Sequence, residues 1–167
     1  RGDQPSTITV CDLTEDMVRV GRDRALDHGI MGGIDWVTGD AQSLPLADES
    51  QDAYTIAFGI RNVTDLDAAL AEARRVLRWG GRFLCLEFSS PVAPGLDMAY
   101  RAYSATLPWL GQAVTGDGEA YRYLIESIAK FPSRDAFTRR IEAAGFGTVS
   151  GRPLSGGIAA LHSAWRT

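Results

Sequence analysis

The chain has almost no lysine: sixteen of its seventeen basic residues are Arg, and Lys130 stands alone. We read that as a coding bias rather than chemistry. With a net charge of −4 and no Lys/Arg-rich run, generic nucleic-acid affinity is excluded. The two cysteines, Cys11 and Cys85, each sit inside an apolar strand-like run. They read as small buried hydrophobes of a reducing compartment, not as a disulfide or a metal site. No apolar run approaches the roughly 20 residues a spanning helix needs, and no signal peptide is visible, so a soluble, cytoplasmic protein is expected. Internal repeats and low-complexity segments are absent. A glycine-rich phosphate loop is missing too, because Gly29 and Gly32-Gly33 read as turn residues between a helix and a strand. The chain opens at Arg1-Gly2-Asp3, without Met and without the strand-turn-helix unit that nucleotide-binding α/β folds place first. The expectation is therefore an N-terminally incomplete fold.

What is present is ordinary for one globular domain: 167 residues, 45% hydrophobic and 23% charged. Strand and helix signals alternate, which predicts an α/β fold with a mostly parallel sheet and covering helices. Ile8-Thr9-Val10-Cys11 reads as a strand ending at Asp12. Thr14 is placed to cap the next helix, Glu15 and Asp16 suit its N-terminal dipole, and Gly29 ends it. Ile34-to-Val37 and Ala53-to-Ala57 are further strands. Leu66, Ala69, Leu70, Ala73, Val76 and Leu77 form one helical stripe, stopped by Gly80-Gly81 before the strand Arg82-to-Phe88. From Ser89 to Lys130 prolines and aromatics dominate, predicting an inserted helical cap over about residues 91–130. A helix from Ser133, its expected N-cap, to Ala144 follows. Gly147-to-Ser150 and Gly157-to-Trp165 then read as an antiparallel pair, with His162 a structural strand residue.

The most informative block is Phe58-Gly59-Ile60-Arg61-Asn62-Val63, between a strand and a helix start at Thr64-Asp65-Leu66-Asp67. It puts a guanidinium and a carboxamide at a strand's C-terminal tip, where open α/β sheets bind ligands. A charge there is costly to bury without a purpose, although Arg61 could simply ion-pair across the loop. Asp12 ends a strand and can accept from the vicinal hydroxyls of a ribose; a helix cap or a surface acid is the plainer reading. Asp40 ends the next strand and could accept from an adenine amine, with the Ala41 N–H donating to a ring nitrogen. Two acids at successive strand tips suggest an adenosine held across the sheet edge.

These residues resemble the C-methyltransferases of ubiquinone and menaquinone biosynthesis, within the class I S-adenosylmethionine-dependent methyltransferases. The resemblance rests on Cys11-Asp12-Leu13 with Asp16-Met17, Gly39-Asp40-Ala41-Gln42-Ser43-Leu44-Pro45, the Arg61-Asn62 block and Arg75-Val76-Leu77-Arg78-Trp79-Gly80-Gly81. Leu86-Glu87-Phe88-Ser89, Tyr121-to-Ile128 and Gly156-to-Ser163 complete it, so that it covers essentially the whole chain. It implies a Rossmann-like class I fold binding S-adenosylmethionine and no metal. Asp12 and Leu13 would meet the ribose, Asp40 and Ala41 the adenine, and the backbone near Ala57 the methionine end. Many members carry Ser at the position of Ala57, and Pro at that of Trp79. The family's first strand and glycine-rich loop would precede residue 1, between the strands at 8–11 and 53–57. Without them a gap at the sheet centre is expected, and a 167-residue piece that neither folds stably nor binds cofactor alone.

The implied reaction is C-methylation of a polyprenyl benzoquinol, with demethylmenaquinol as a second acceptor. A ring carbon becomes nucleophilic when a neighbouring phenol loses its proton. Arg61 stays protonated and would stabilise the phenolate, while Asn62 orients a water or the ring oxygen. Glu87, Asp117 and Glu119 are weaker candidates for a general base. Tyr100, Tyr103, Tyr121 and Tyr123, with Leu107, Trp109 and Leu110, would line an apolar path for the tail, rest on a membrane, or only pack the cap. The implied partners are the polyprenyl quinol, a membrane surface in peripheral contact (the inner membrane, from the matrix side in a eukaryote), and a quinone-biosynthesis complex or homodimer. Alternatives at this point are a nicotinamide-dependent dehydrogenase, a methyltransferase for another small aromatic acceptor, and a degenerate, non-catalytic scaffold of quinone biosynthesis.

Overall fold

A computed structural model describes residues 6–89 and 118–167, except the side chains of residues 118, 120 and 121. In chain order the elements are β1 (Ile8–Asp12), α1 (Glu15–Asp27), β2 (Ile34–Thr38), β3 (Gln51–Ala57), α2 (Leu66–Val76), β4 (Leu77–Phe88), α3 (Gly118–Lys130), α4 (Arg134–Ala143), β5 (Gly147–Leu154) and β6 (Ala159–Trp165). Single 3₁₀ turns occupy Ile60–Asn62 and Ser155–Gly157. Of the expected cap, residues 118–130 are helical. Tyr100, Tyr103, Leu107, Trp109, Leu110, Asp117 and the side chain of Tyr121 lie outside the described residues. Among the described residues no helix is long and apolar enough to cross a membrane.

The architecture is α/β, with the antiparallel pair at the C-terminal end. β1 and β2 pair in parallel as a two-stranded sheet. A second sheet runs β3-β4-β6-β5, its first pairing parallel and the other two antiparallel. Among the described residues β1 and β3 share no ladder. Among the described residues β1 has a neighbour on one edge only, and the expected buried strand is half-open: Ile8 is exposed and Cys11 half-buried, whereas Cys85 is fully buried in β4.

The core lies between α2, α4 and the four-stranded sheet. Leu70, Ala73 and Leu77 pack with Phe83, Cys85, Phe137 and Ile141, all buried. Each fully buried Leu or Phe of this kind contributes about 1.5–3 kcal/mol. Ser133 caps α4, its hydroxyl accepting from the Ala136 N–H at 3.4 Å. Arg75 clamps the loop after β2 onto α2. Its Nε and Nη2 take both Glu72 oxygens at 2.7 and 2.8 Å, and Nη2 also reaches the Leu44 carbonyl at 3.0 Å. Nη1 reaches the Leu46 carbonyl at 2.8 Å and Asp48 at 2.6 Å. The Arg75 hydrogen bonds hold the Glu72 carboxyl below its ordinary pKa.

Three local expectations differ from what is observed. α2 ends at Val76, and Leu77 already turns extended while its N–H bonds back to the Ala73 carbonyl. Gly80 and Gly81 therefore lie within β4 rather than at a helix end. Gly80 has φ +75, and a Cβ on Gly81 would stand 2.7 Å from the Arg78 carbonyl oxygen. Thr14 sits at the N-cap of α1 but makes no side-chain cap; its hydroxyl is drawn instead to Asp12. β5 continues to Leu154, and β6 begins at Ala159, after a turn in which Ser155, Gly156 and Gly157 all have positive φ.

Candidate active site

β3 delivers the Arg61-Asn62 tip. The Phe58 N–H still bonds the Leu86 carbonyl at 2.8 Å, but Phe58 itself has φ +54, a left-handed conformation that is strained for a bulky residue. The chain then swings through Gly59 into the 3₁₀ turn. Ile60, 2% exposed, anchors that turn in the core and leaves Asn62 exposed and the Arg61 side chain largely buried at the sheet's end. The rings of Phe58 and Phe88 meet at 4.7 Å, and the Arg61 guanidinium lies 5.4 Å from the Phe88 ring centre.

Arg61 is held on several sides. Its Nη1 donates to Glu87 Oε1 at 3.2 Å and to the Phe58 carbonyl, and its Nε donates to Ser127 Oγ at 3.3 Å. The Arg61 backbone N–H reaches Glu87 Oε2 at 3.3 Å, and the Phe88 N–H reaches Oε1 at 2.8 Å. Glu87 is thus a buried acceptor saturated by the turn, unsuited to receive a substrate proton. Glu119, the other described base candidate, pairs with Arg122 at 3.2 Å on the exposed surface of α3. The Asn62 Oδ1 accepts from the Tyr123 hydroxyl at 3.2 Å. A cavity of about 700 Å³ lies against this turn, with Arg61, Tyr123 and Ser127 in its wall.

Asp12 and Asp40 share the other sheet's C-terminal end. The Gly39 N–H bonds the Asp12 carbonyl at 2.9 Å, joining the two tips. Cys11 lies between them: burial raises its thiol pKa first, and the Asp12 and Asp40 carboxylates add to the shift. Asp12 Oδ1 accepts from the Thr14 N–H at 2.9 Å and hydroxyl at 3.1 Å. The Gln42 backbone N–H, at 2.8 Å from Oδ1, and its side-chain amide hold the Asp40 carboxyl below its ordinary pKa. Leu13 is exposed beside Asp12, and Ala57 is exposed at the end of β3.

The structure thus gathers Arg61, Asn62 and Tyr123 in one cluster, and Asp12, Leu13, Asp40 and Ala41 in another, on separate sheets. Sequence reasoning gave no role to Gln42, which ties Asp40 to the start of α2. Its Nε2 donates to both Asp40 oxygens at 3.1 Å, and its Oε1 accepts from the Asp65 N–H at 2.6 Å, at the start of α2. Ser127 was missed as well; its spacing of four residues from Tyr123 on a helix was the available signal. Among the described residues no group of three or more His, Cys, Asp or Glu could hold a metal ion.

The fold's α/β arrangement, with polar and charged residues following the ends of β1, β2 and β3, defines the class. A SAM-dependent methyltransferase of Thermotoga maritima superposes with a TM-score of 0.67 at 19% identity, over 96% of this chain and 73% of that one. That likeness is one of fold, the class I methyltransferase fold. At the level of sequence, the profile of the "ubiE/COQ5 methyltransferase family" matches residues 2–166, and the chain belongs to that family. It is 58% identical over 159 residues to the "Ubiquinone/menaquinone biosynthesis C-methyltransferase UbiE" of Bradyrhizobium sp., covering 95% of this chain and 63% of that protein. The protein of the same name in Methylobacterium nodulans is 57% identical over 166 residues, covering 99% of this chain and 66% of its own length. The chain thus spans just under two thirds of the length of these relatives.

Proposed function

We propose that this chain acts in an S-adenosylmethionine-dependent C-methyltransferase whose acceptor is a polyprenyl benzoquinol, with demethylmenaquinol as a second acceptor. The observation that carries the proposal is the Arg61-Asn62 turn: in a member of this family, a guanidinium is held at the end of β3 by Glu87 and Ser127. The residues fit that cofactor. Among the described residues Asp12 Oδ2 and the Ala41 N–H have no partner, which leaves an acceptor for a ribose hydroxyl and a donor for a ring nitrogen. S-adenosylmethionine supplies an electrophilic methyl group on a sulfonium. Arg61 opposes the negative charge that develops on the acceptor's phenol oxygen, and Asn62 orients that oxygen. The phenol proton leaves to water, since the Glu87 oxygens are taken; once the methyl group is on the ring carbon, that carbon's proton also passes to water and the ring regains its aromatic phenol form. By the family resemblance, Tyr100, Tyr103, Tyr121 and Tyr123 are the residues to line the path of the apolar tail, and so apolar an acceptor brings the protein against a membrane surface.

Two measurements on the purified full-length protein test this: S-adenosylmethionine binding by calorimetry, and methyl transfer to a short-tailed benzoquinol. Arg61→Ala is expected to abolish transfer and leave cofactor affinity nearly intact. Equal loss of both would put Arg61 in the cofactor site, and full activity would remove it from the reaction.

A further inference from the structure

We propose that Tyr123 and Ser127, one turn apart on α3, are positioning residues that aim the Arg61 and Asn62 side chains; this rests on the reading of that tip as the methyl-transfer centre. The two residues share one face of the helix, as positions i and i+4 do. Ser127 is 9% exposed; its hydroxyl donates to the Leu124 carbonyl at 2.9 Å and presents its oxygen to Arg61 Nε at 3.3 Å. Tyr123 is 58% exposed and donates to Asn62 Oδ1 at 3.2 Å.

What these two bonds leave over is the chemical point. With Nε on Ser127 and Nη1 on Glu87 and the Phe58 carbonyl, Nη2 is the guanidinium nitrogen with no partner among the described residues. With Oδ1 on Tyr123, the Asn62 carboxamide offers its Nδ2 donors. The acceptor groups of the tip, Asn62 Oδ1 and the Glu87 carboxylate, are occupied. The tip therefore faces a ligand with N–H donors, the composition of a site that stabilises an oxyanion rather than one that removes a proton. α3 sets that composition. Without Tyr123 the Asn62 amide is free to turn over, and without Ser127 the guanidinium loses the bond that fixes its plane.

The test uses kcat and KM for a short-tailed benzoquinol together with the Kd for S-adenosylmethionine. Tyr123→Phe is expected to lower kcat about fivefold and Ser127→Ala about tenfold, the size of one neutral and one charge-assisted hydrogen bond, with Kd unchanged. Ser127→Thr, which keeps the hydroxyl, restores most of the loss. Added to Asn62→Ala, Tyr123→Phe costs nothing further, because its only route is through Asn62. The positioning role is overturned if both variants keep wild-type kcat while Arg61→Ala abolishes transfer, if the Kd rises in step with the fall in kcat, or if the Tyr123 and Asn62 effects add. If Arg61→Ala itself keeps full activity, it is the reading of the tip that fails.

Discussion

The Arg61 guanidinium and the Glu87 carboxylate form an ion pair at 3.2 Å, with their side chains 10% and 1% exposed. Taking two charges this far out of water is costly, and the pair persists because Glu87 also accepts the backbone N–H groups of Arg61 and Phe88. One carboxylate therefore fixes the side chain, the turn and the end of β4 together. Removing it strands a buried cation, which costs on the order of 3–5 kcal/mol. Glu87→Ala is expected to lose at least ~3 kcal/mol in urea unfolding, together with activity, and Glu87→Gln about half of that. An alanine variant as stable as wild type would contradict the pinning role.

The Gln42 carboxamide is the bridge between the Asp40 tip and the helix that follows the Arg61-Asn62 turn. Gln42→Ala removes the Nε2 bonds to Asp40 and leaves the Asp65 N–H without its partner. The expected result is a cofactor Kd raised about tenfold, as for loss of a charge-assisted hydrogen bond, with stability lowered by about 1 kcal/mol. Gln42→Glu should be worse than alanine, because it sets a second carboxylate against Asp40. Calorimetric titration of the two variants checks the order.

The strands, α2's buried stripe, the Ser133 cap and the tip's position were legible because each depends on local pattern: apolar period, capping residue, turn glycine. The same holds for the family resemblance, carried by contiguous motifs. What was not legible was set by groups distant in sequence. Arg166 takes the last carbonyls of α2, so the helix stops before Leu77 although the apolar period runs through it. Asp12 draws the Thr14 hydroxyl away from the cap it was expected to make. Pairing Glu87 with Arg61, 26 residues apart, and Ser127 with Arg61, 66 apart, required knowing which ends of the sheet and helix meet.

Arg166 closes the C-terminal end of α2. Its Nη1 donates to the carbonyls of Arg74 at 3.2 Å, Arg75 at 3.1 Å and Leu77, and its Nη2 pairs with Glu49 at 2.7 Å. A cation among the last carbonyls complements the helix dipole and satisfies groups the helix leaves unpaired. Arg166→Met, which keeps bulk and removes the donors, is expected to cost about 2–3 kcal/mol. Arg166→Lys recovers only part, since one ammonium cannot cover that fork. Amide exchange should speed up first in the last turn of α2; uniform exchange across the chain would refute the capping role.

His162 ties stability to acid. Its ring is 1% exposed and edge-on to Phe137 at 4.9 Å. Nε2 must carry the proton, because it donates to the Arg134 carbonyl at 3.1 Å, which leaves Nδ1 as a buried lone pair without a partner among the described residues. Burial lowers the imidazole pKa below 6.5; the Arg134 carbonyl opposes this, the Arg134 charge adds to it and Asp135 opposes it. The folded state thus binds fewer protons than the unfolded chain around that pH, so stability rises with pH there. The contribution is fully present above about pH 6.5 and is lost progressively as pH falls below it toward the depressed folded value. Urea unfolding from about pH 8 to about pH 5 should show wild type losing more stability than His162→Gln, which cannot take up the proton. Parallel curves for the two proteins would mean that this imidazole does not sense pH.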